Sequence, residues 1–119
     1  MLMKKVYYLS SCNTCKRIIN ELNLPEDIML QDVKIKPVTE SQLEALKALS
    51  GSYESLFNRR SQLYRKQGLA EKILSETDYK TLILSHYTLL KRPVVIVGSE
   101  IFTGSSKKVV AAAKQAIHG

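Results

Sequence analysis

Apolar residues recur along this chain with two different periods, and the changes between them mark out its elements. "VYYL", Val6 to Leu9, is a short β-rich run, and from Thr14 the apolar positions Ile18, Ile19 and Leu22 return at helical spacing. Pro25 stops that helix, "IMLQDV" (Ile28 to Val33) alternates as a second strand, and Pro37 closes it. The first third is thus expected to be a βαβ unit, its strands parallel and its crossover right-handed.

Beyond Pro37 the pattern turns helical. Thr39 stands as an N-cap with Gln42 at the capping-box position and Val38 set to staple onto Leu43, while Leu43, Leu46 and Leu49 form an apolar stripe. Ser50-Gly51-Ser52 breaks the chain. "YESLFNRRSQLYRKQG" predicts one or two short helices ending at Gly68, and Ser75 with Asp78 opens another expected to run through "YKTLILSHYTLL". After Arg92-Pro93, "VVIV" has the pattern of a buried strand, Gly98-Ser99 that of a turn, and "IFT" that of a hairpin partner. Ser105 begins a last helix through "KKVVAAAKQAI". The order is βαβ, helices, ββα, without a repeat, a low-complexity tract or a dividing linker. A single domain over residues 1–119 is expected, with a helical insertion at about 38–88 between parts at about 4–36 and 90–118.

A length of 119 residues and a hydrophobic content of 45% suit a chain that folds around its own core. No apolar leader with a cleavage site follows Met1, and the longest nearly uncharged stretch, "TLLKRPVVIVG", is interrupted by Lys91, Arg92 and Pro93. A cytoplasmic protein with reduced thiols and no membrane partner is the expectation. Eighteen Lys and Arg against eleven Asp and Glu give a formal charge of +7, which attracts anions of any kind. The basic residues are scattered in pairs and aromatic interleaving is thin, so direct nucleic-acid binding has only composition behind it.

The two cysteines change the picture most. Cys12 and Cys15 lie between a strand and a helix, and a crosslink there would close too small a loop to be a useful staple. A metal centre would need two further ligands, and the histidines, His86 and His118, bring no second pair at the usual spacing; no metal is expected. Two inert buried thiols remain the plain alternative. In favour of chemistry, Cys12 stands where the unsatisfied N–H groups and positive dipole end of a helix favour an anion. Such thiols ionise readily, and Lys16 and Arg17 on the first turn are expected to help. Cys15, one turn on, is in reach of a mixed disulfide at Cys12, and C-x-x-C beside a βαβ pattern reads as a redox motif.

Three segments in order, "SSCNTCKR", "NRRSQLYRKQGL" and "LLKRPVVIVGSEIFTGSSKKVV", resemble the arsenate reductase ArsC and Spx family over essentially the whole chain. The resemblance implies an α/β, thioredoxin-like fold: a four-stranded mixed sheet with the helical insertion between its βαβ and ββα halves. It places the nucleophile on Cys12. Oxyanion-binding arginines fall on Arg60, with Arg59 competing in the register, and on Arg92, and Pro93 becomes the cis-proline beside the site. Ser11, Asn13 and Thr14 of the cysteine loop join Arg59 and Pro93 as substrate-binding candidates. Guanidinium forks hold tetrahedral oxyanions bidentately, which gives the arginines a physical role; ordinary surface charge is the alternative for each.

Two departures from the better characterised arsenate reductases stand out. Thr103-Gly104 occupies the place of a third arginine, and Cys15 occupies a place where many of those enzymes have no cysteine and Spx regulators do. The favoured reading is a thiol oxidoreductase in which Cys12 attacks an oxyanion or mixed disulfide and Cys15 or a small thiol resolves the adduct. It needs no bound cofactor, uses glutathione as co-substrate with glutaredoxin or thioredoxin as partner, and works as a monomer. The alternative is a Spx-like regulator that docks on the C-terminal domain of the RNA polymerase α-subunit and is switched by Cys12 and Cys15.

Overall fold

The computed structural model describes residues 4–119, so the first three residues of the expected domain lie outside it. In chain order the elements are β1 (Lys4–Tyr8), α1 (Asn13–Leu22), β2 (Met29–Asp32), α2 (Glu40–Ser50), α3 (Gln62–Lys66), α4 (Glu76–Ser85), β3 (Val94–Val97), β4 (Glu100–Thr103) and α5 (Lys107–His118). Single 3-10 turns stand at Glu54–Leu56, Leu69–Glu71 and Tyr87–Leu89. The chain divides into two compact units, one holding residues 4–36 with 92–119 and the other Pro37–Lys91.

The first unit is a four-stranded mixed sheet in the order β2-β1-β3-β4. β1 runs parallel to β2, which requires the α1 crossover, and antiparallel to β3, which pairs with β4 as a hairpin. This is the α/β, thioredoxin-like plan expected from the order of elements. Val6, Val95 and Val97 meet Ile18 and Leu22 of α1 and Val110, Ala113 and Ile117 of α5 in one apolar cluster. Each of the Val, Leu and Ile side chains, when fully buried, contributes roughly 1.5–3 kcal/mol.

Helix α1 stops before Pro25 because Asn23 turns left-handed (φ 51°) and returns its N–H to Asn20 O, a common helix ending. The orphan carbonyl of Leu22 accepts from His118 Nε2 at 2.8 Å, so α5 serves the end of α1. The last helix starts one residue later than expected: Ser106, not Ser105, is the cap, its Oγ accepting from Val109 N–H at 3.2 Å.

The second unit is helical. Thr39 and Gln42 form the full reciprocal capping box of α2, both bonds 3.1 Å, and Leu43 and Leu46 are buried while Leu49 is only half-buried. Ser75 and Asp78 repeat the device on α4. That helix ends at Ser85 instead of continuing through Leu90. His86 adopts an extended conformation, its Nδ1 accepting from Thr88 N–H at 3.2 Å, which diverts the chain into a separate 3-10 turn. The ring of Phe57 is fully buried, edge-on to Tyr64 at 5.7 Å and tilted against Tyr79 at 4.9 Å. Among the described residues no helix is long and apolar enough to cross a membrane.

Candidate active site

β1 leads into a turn, Leu9 to Cys12, closed by Cys12 N–H donating to Leu9 O at 3.1 Å. Cys12 then has the extended backbone of an N-cap (φ −97°, ψ 115°), and its own carbonyl accepts the first helical bond, from Lys16 N–H at 3.1 Å. The first turn of α1 carries no acidic residue. Ser11, Asn13 and Thr14 are exposed around the half-buried Cys12, while Cys15 is buried at 1% exposure; both thiols are free.

The two thiols are shifted in opposite directions. Burial pushes the Cys12 thiol up, but the backbone N–H of Cys15, the Cys15 thiol, the N–H of Thr14 and the charge of Arg92 outweigh it and hold Cys12 below the ordinary thiol value. Burial pushes Cys15 up, and a bond from the Leu9 backbone and the charge of Arg92 fall short of restoring it against the adjacent Cys12. One sulfur is therefore favoured as the nucleophile and the other as the proton-bearing donor beside it. The cation acting on Cys12 is Arg92, from the far end of the chain, while Lys16 and Arg17, expected to assist, lie exposed in solvent.

Arg92 has its Nε out of reach of solvent and joins Pro93 through a cis peptide bond. Pro93 is buried, and its carbonyl accepts from Gly104 N–H at 3.0 Å, which fixes the start of β3 against the turn after β4. Thr103-Gly104 accordingly has a backbone role at the position where a third arginine was absent.

Arg59 and Arg60 belong to the helical unit, where they occupy a turn and not a helix. Asn58 anchors that turn: its N–H donates to Leu89 O at 2.8 Å, its Nδ2 to Thr88 O at 3.0 Å, and its Oδ1 accepts from Arg60 N–H at 3.0 Å. Ser61 Oγ adds a bond to Thr88 Oγ1 at 3.0 Å. The two arginines differ. Arg59 is paired with Glu54 at 2.7 Å and donates to Tyr79 Oη at 3.0 Å, and the Glu54 carboxylate holds it above its ordinary value. Arg60 is exposed, and no ion pair among the described residues engages it. Of the two competitors in the register, Arg60 is the one at liberty to meet an anion.

No group of three or more His, Cys, Asp or Glu that could hold a metal occurs among the described residues. One neighbour of the cysteine loop was missed in the sequence: Asp32, at the carboxyl end of β2, accepts from Ser10 N–H at 3.4 Å. The register that pairs Tyr8 with Asp32 brings it there, and only strand pairing reveals it.

The ArsC family model matches residues 7–113. Among solved structures, a possible arsenate reductase of Streptococcus mutans UA159 is 30% identical, with a TM-score of 0.71 over 90% of this chain and 93% of that one. A Staphylococcus aureus protein is 26% identical, with a TM-score of 0.74 over 93% of this chain and 98% of that one. The arsenate reductase of Vibrio cholerae has a TM-score of 0.78 over 94% of this chain and 98% of that one, but at 16% identity the likeness is one of fold. A search of curated proteins finds no match. The match over most of the chain makes this protein a member of the ArsC family.

Proposed function

We propose that the protein is a thiol-dependent oxidoreductase of the arsenate-reductase type, with Cys12 as nucleophile. The observation that carries the reading is the Cys12 sulfur, lowered in pKa at the open N-terminus of α1 with Arg92 acting on it. The reaction balances as arsenate plus two thiols giving arsenite, one disulfide and water. Cys12 thiolate attacks arsenic and displaces an oxygen as water, forming an S–As bond. A second thiol then attacks the Cys12 sulfur, the S–As electron pair passes to arsenic, and arsenite leaves. Arg92, and on the family resemblance Arg60, offset the charge of the oxyanion. The second thiol is Cys15 or glutathione, with glutaredoxin or thioredoxin restoring the enzyme in a reducing cytoplasm.

Steady-state reduction of arsenate with glutathione and glutaredoxin tests this reading. Turnover should vanish in Cys12→Ser and fall about 100-fold or more in Arg92→Ala. Survival of turnover in Cys15→Ser identifies glutathione as the resolving thiol; its loss identifies Cys15. A second reading is favoured by Cys15, one helical turn from Cys12, acting on the Cys12 thiol to lower it, the spacing that a disulfide switch requires. No turnover in wild type, with a Cys12–Cys15 disulfide forming readily and changing affinity for the α-subunit of RNA polymerase, would replace the enzyme by a Spx-like regulator.

A further inference from the structure

The turn that carries Cys12 is held from outside its own strand and helix. Ser10 is the second residue of the Leu9–Cys12 turn, so its N–H takes no part in the Leu9 O···Cys12 N–H bond that closes the turn. That N–H donates instead to Asp32 Oδ1 at 3.4 Å. The same oxygen accepts from Lys34 N–H at 3.1 Å, so the carboxylate is anchored to its own segment while it holds the turn that follows the neighbouring strand. Val33 N–H donates to Tyr8 O at 2.9 Å and extends the parallel pairing to the foot of the turn. Desolvation pushes the Asp32 carboxyl up, but the Ser10 hydroxyl and the backbone N–H groups of Lys34 and Ser10 outweigh it and hold the group below the usual carboxylate range, which keeps it an acceptor at neutral pH.

We infer that Asp32 is a positioning residue for Cys12: by fixing Ser10 it sets the turn that delivers the Cys12 sulfur to the N–H groups of Thr14 and Cys15. The inference rests on the reading of Cys12 as a thiolate. Asp32 touches neither cysteine in this arrangement and acts through the backbone of Ser10. A charge on Asp32 and the geometry it imposes would act on Cys12 in opposite directions. A negative charge near Cys12 disfavours the thiolate, whereas a fixed turn favours it, so the two effects separate by substitution.

The experiment is the pH dependence of Cys12 alkylation by iodoacetamide, read at Cys12 by tandem mass spectrometry, in wild type, Asp32→Asn and Asp32→Ala. Asparagine keeps the Oδ1 acceptor without the charge, and alanine removes both. Positioning predicts that the midpoint rises by about one pH unit in Asp32→Ala, a tenfold loss of thiolate below it, and stays near wild type in Asp32→Asn. Asp32→Leu, which replaces the carboxylate with an apolar side chain of similar size that accepts no hydrogen bond, should give a similar rise and supplies the measurement should Asp32→Ala not fold. Midpoints that fall together in the Asp32 variants mean a purely electrostatic effect and overturn the inference, as does no change in any variant. A wild-type midpoint no lower than that of a free thiol overturns the thiolate reading itself.

Discussion

The helices of this protein begin in two ways. α2, α4 and α5 each start with a hydroxyl, Thr39, Ser75 and Ser106, that accepts from an N–H of the first turn, and α2 and α4 add acidic residues there. α1 starts with Cys12, has no acid in its first turn, and shows no side-chain capping bond. The field at a helix N-terminus is the same in every case. Where a hydroxyl and a carboxylate meet it, it becomes stability, and Asp78 records this by lying below the usual carboxylate range through its bonds with Ser75. Where a thiol meets it, it goes into ionisation. A neutral thiol is a poor acceptor and a thiolate a good one, so in α1 the sulfur that ionises stands at the position that hydroxyls fill in the other helices.

The strongest way to break this contrast is to give α1 an oxygen acceptor at its cap, here one that carries the anion's charge as well. Cys12→Asp should abolish thiol chemistry altogether yet be more stable than Cys12→Ala by about 1 kcal/mol in urea unfolding at neutral pH. Equal stabilities would mean that the N-terminus of α1 is not open to an anion. Next in size, Thr39→Ala and Ser75→Ala should each lower stability by about 1 kcal/mol, with the alkylation midpoint of Cys12 unmoved. A shifted midpoint would show that those caps do more than hold their own helices. The smallest effect is in pH. The folded pKa of Cys12 lies below its unfolded value of about 8.5, so its contribution is fully present above that value and lost as pH falls through the folded pKa. The stability of wild type relative to Cys12→Ala should therefore grow with rising pH across that window; a flat difference would remove the thiolate from the cap.

Much of this was legible in the chain because it depends on neighbours. The capping boxes of α2 and α4 lie within four consecutive residues, and the buried run Val94–Val97 announces its strand by composition. What escaped depends on distant partners. The segment around Arg59 and Arg60 has helical periodicity, yet Asn58 and Ser61 bond to Thr88 and hold it as a turn. His86 ends α4 through its own ring nitrogen, a local competition that periodicity does not register. Ser105 and Ser106 are both good caps, and only the bond to Val109 chooses. At the site, Lys16 and Arg17 were conspicuous by adjacency, while Arg92 acts on the sulfur and Asp32 reaches the loop through strand pairing.

The sheet order has a temporal meaning for the thiol. β1, which leads directly to Cys12, is flanked on one side by β2 and on the other by β3, with Lys4 opposite Val97. α1 rests against residues of α5, and the carbonyl at its end waits for His118. A ribosome makes Cys12 before Arg92, β3 and α5, so the sulfur exists in a chain in synthesis before the guanidinium that acts on it. The charge that helps to hold Cys12 below the ordinary thiol value is thus supplied last, by the half of the fold that closes the sheet over β1.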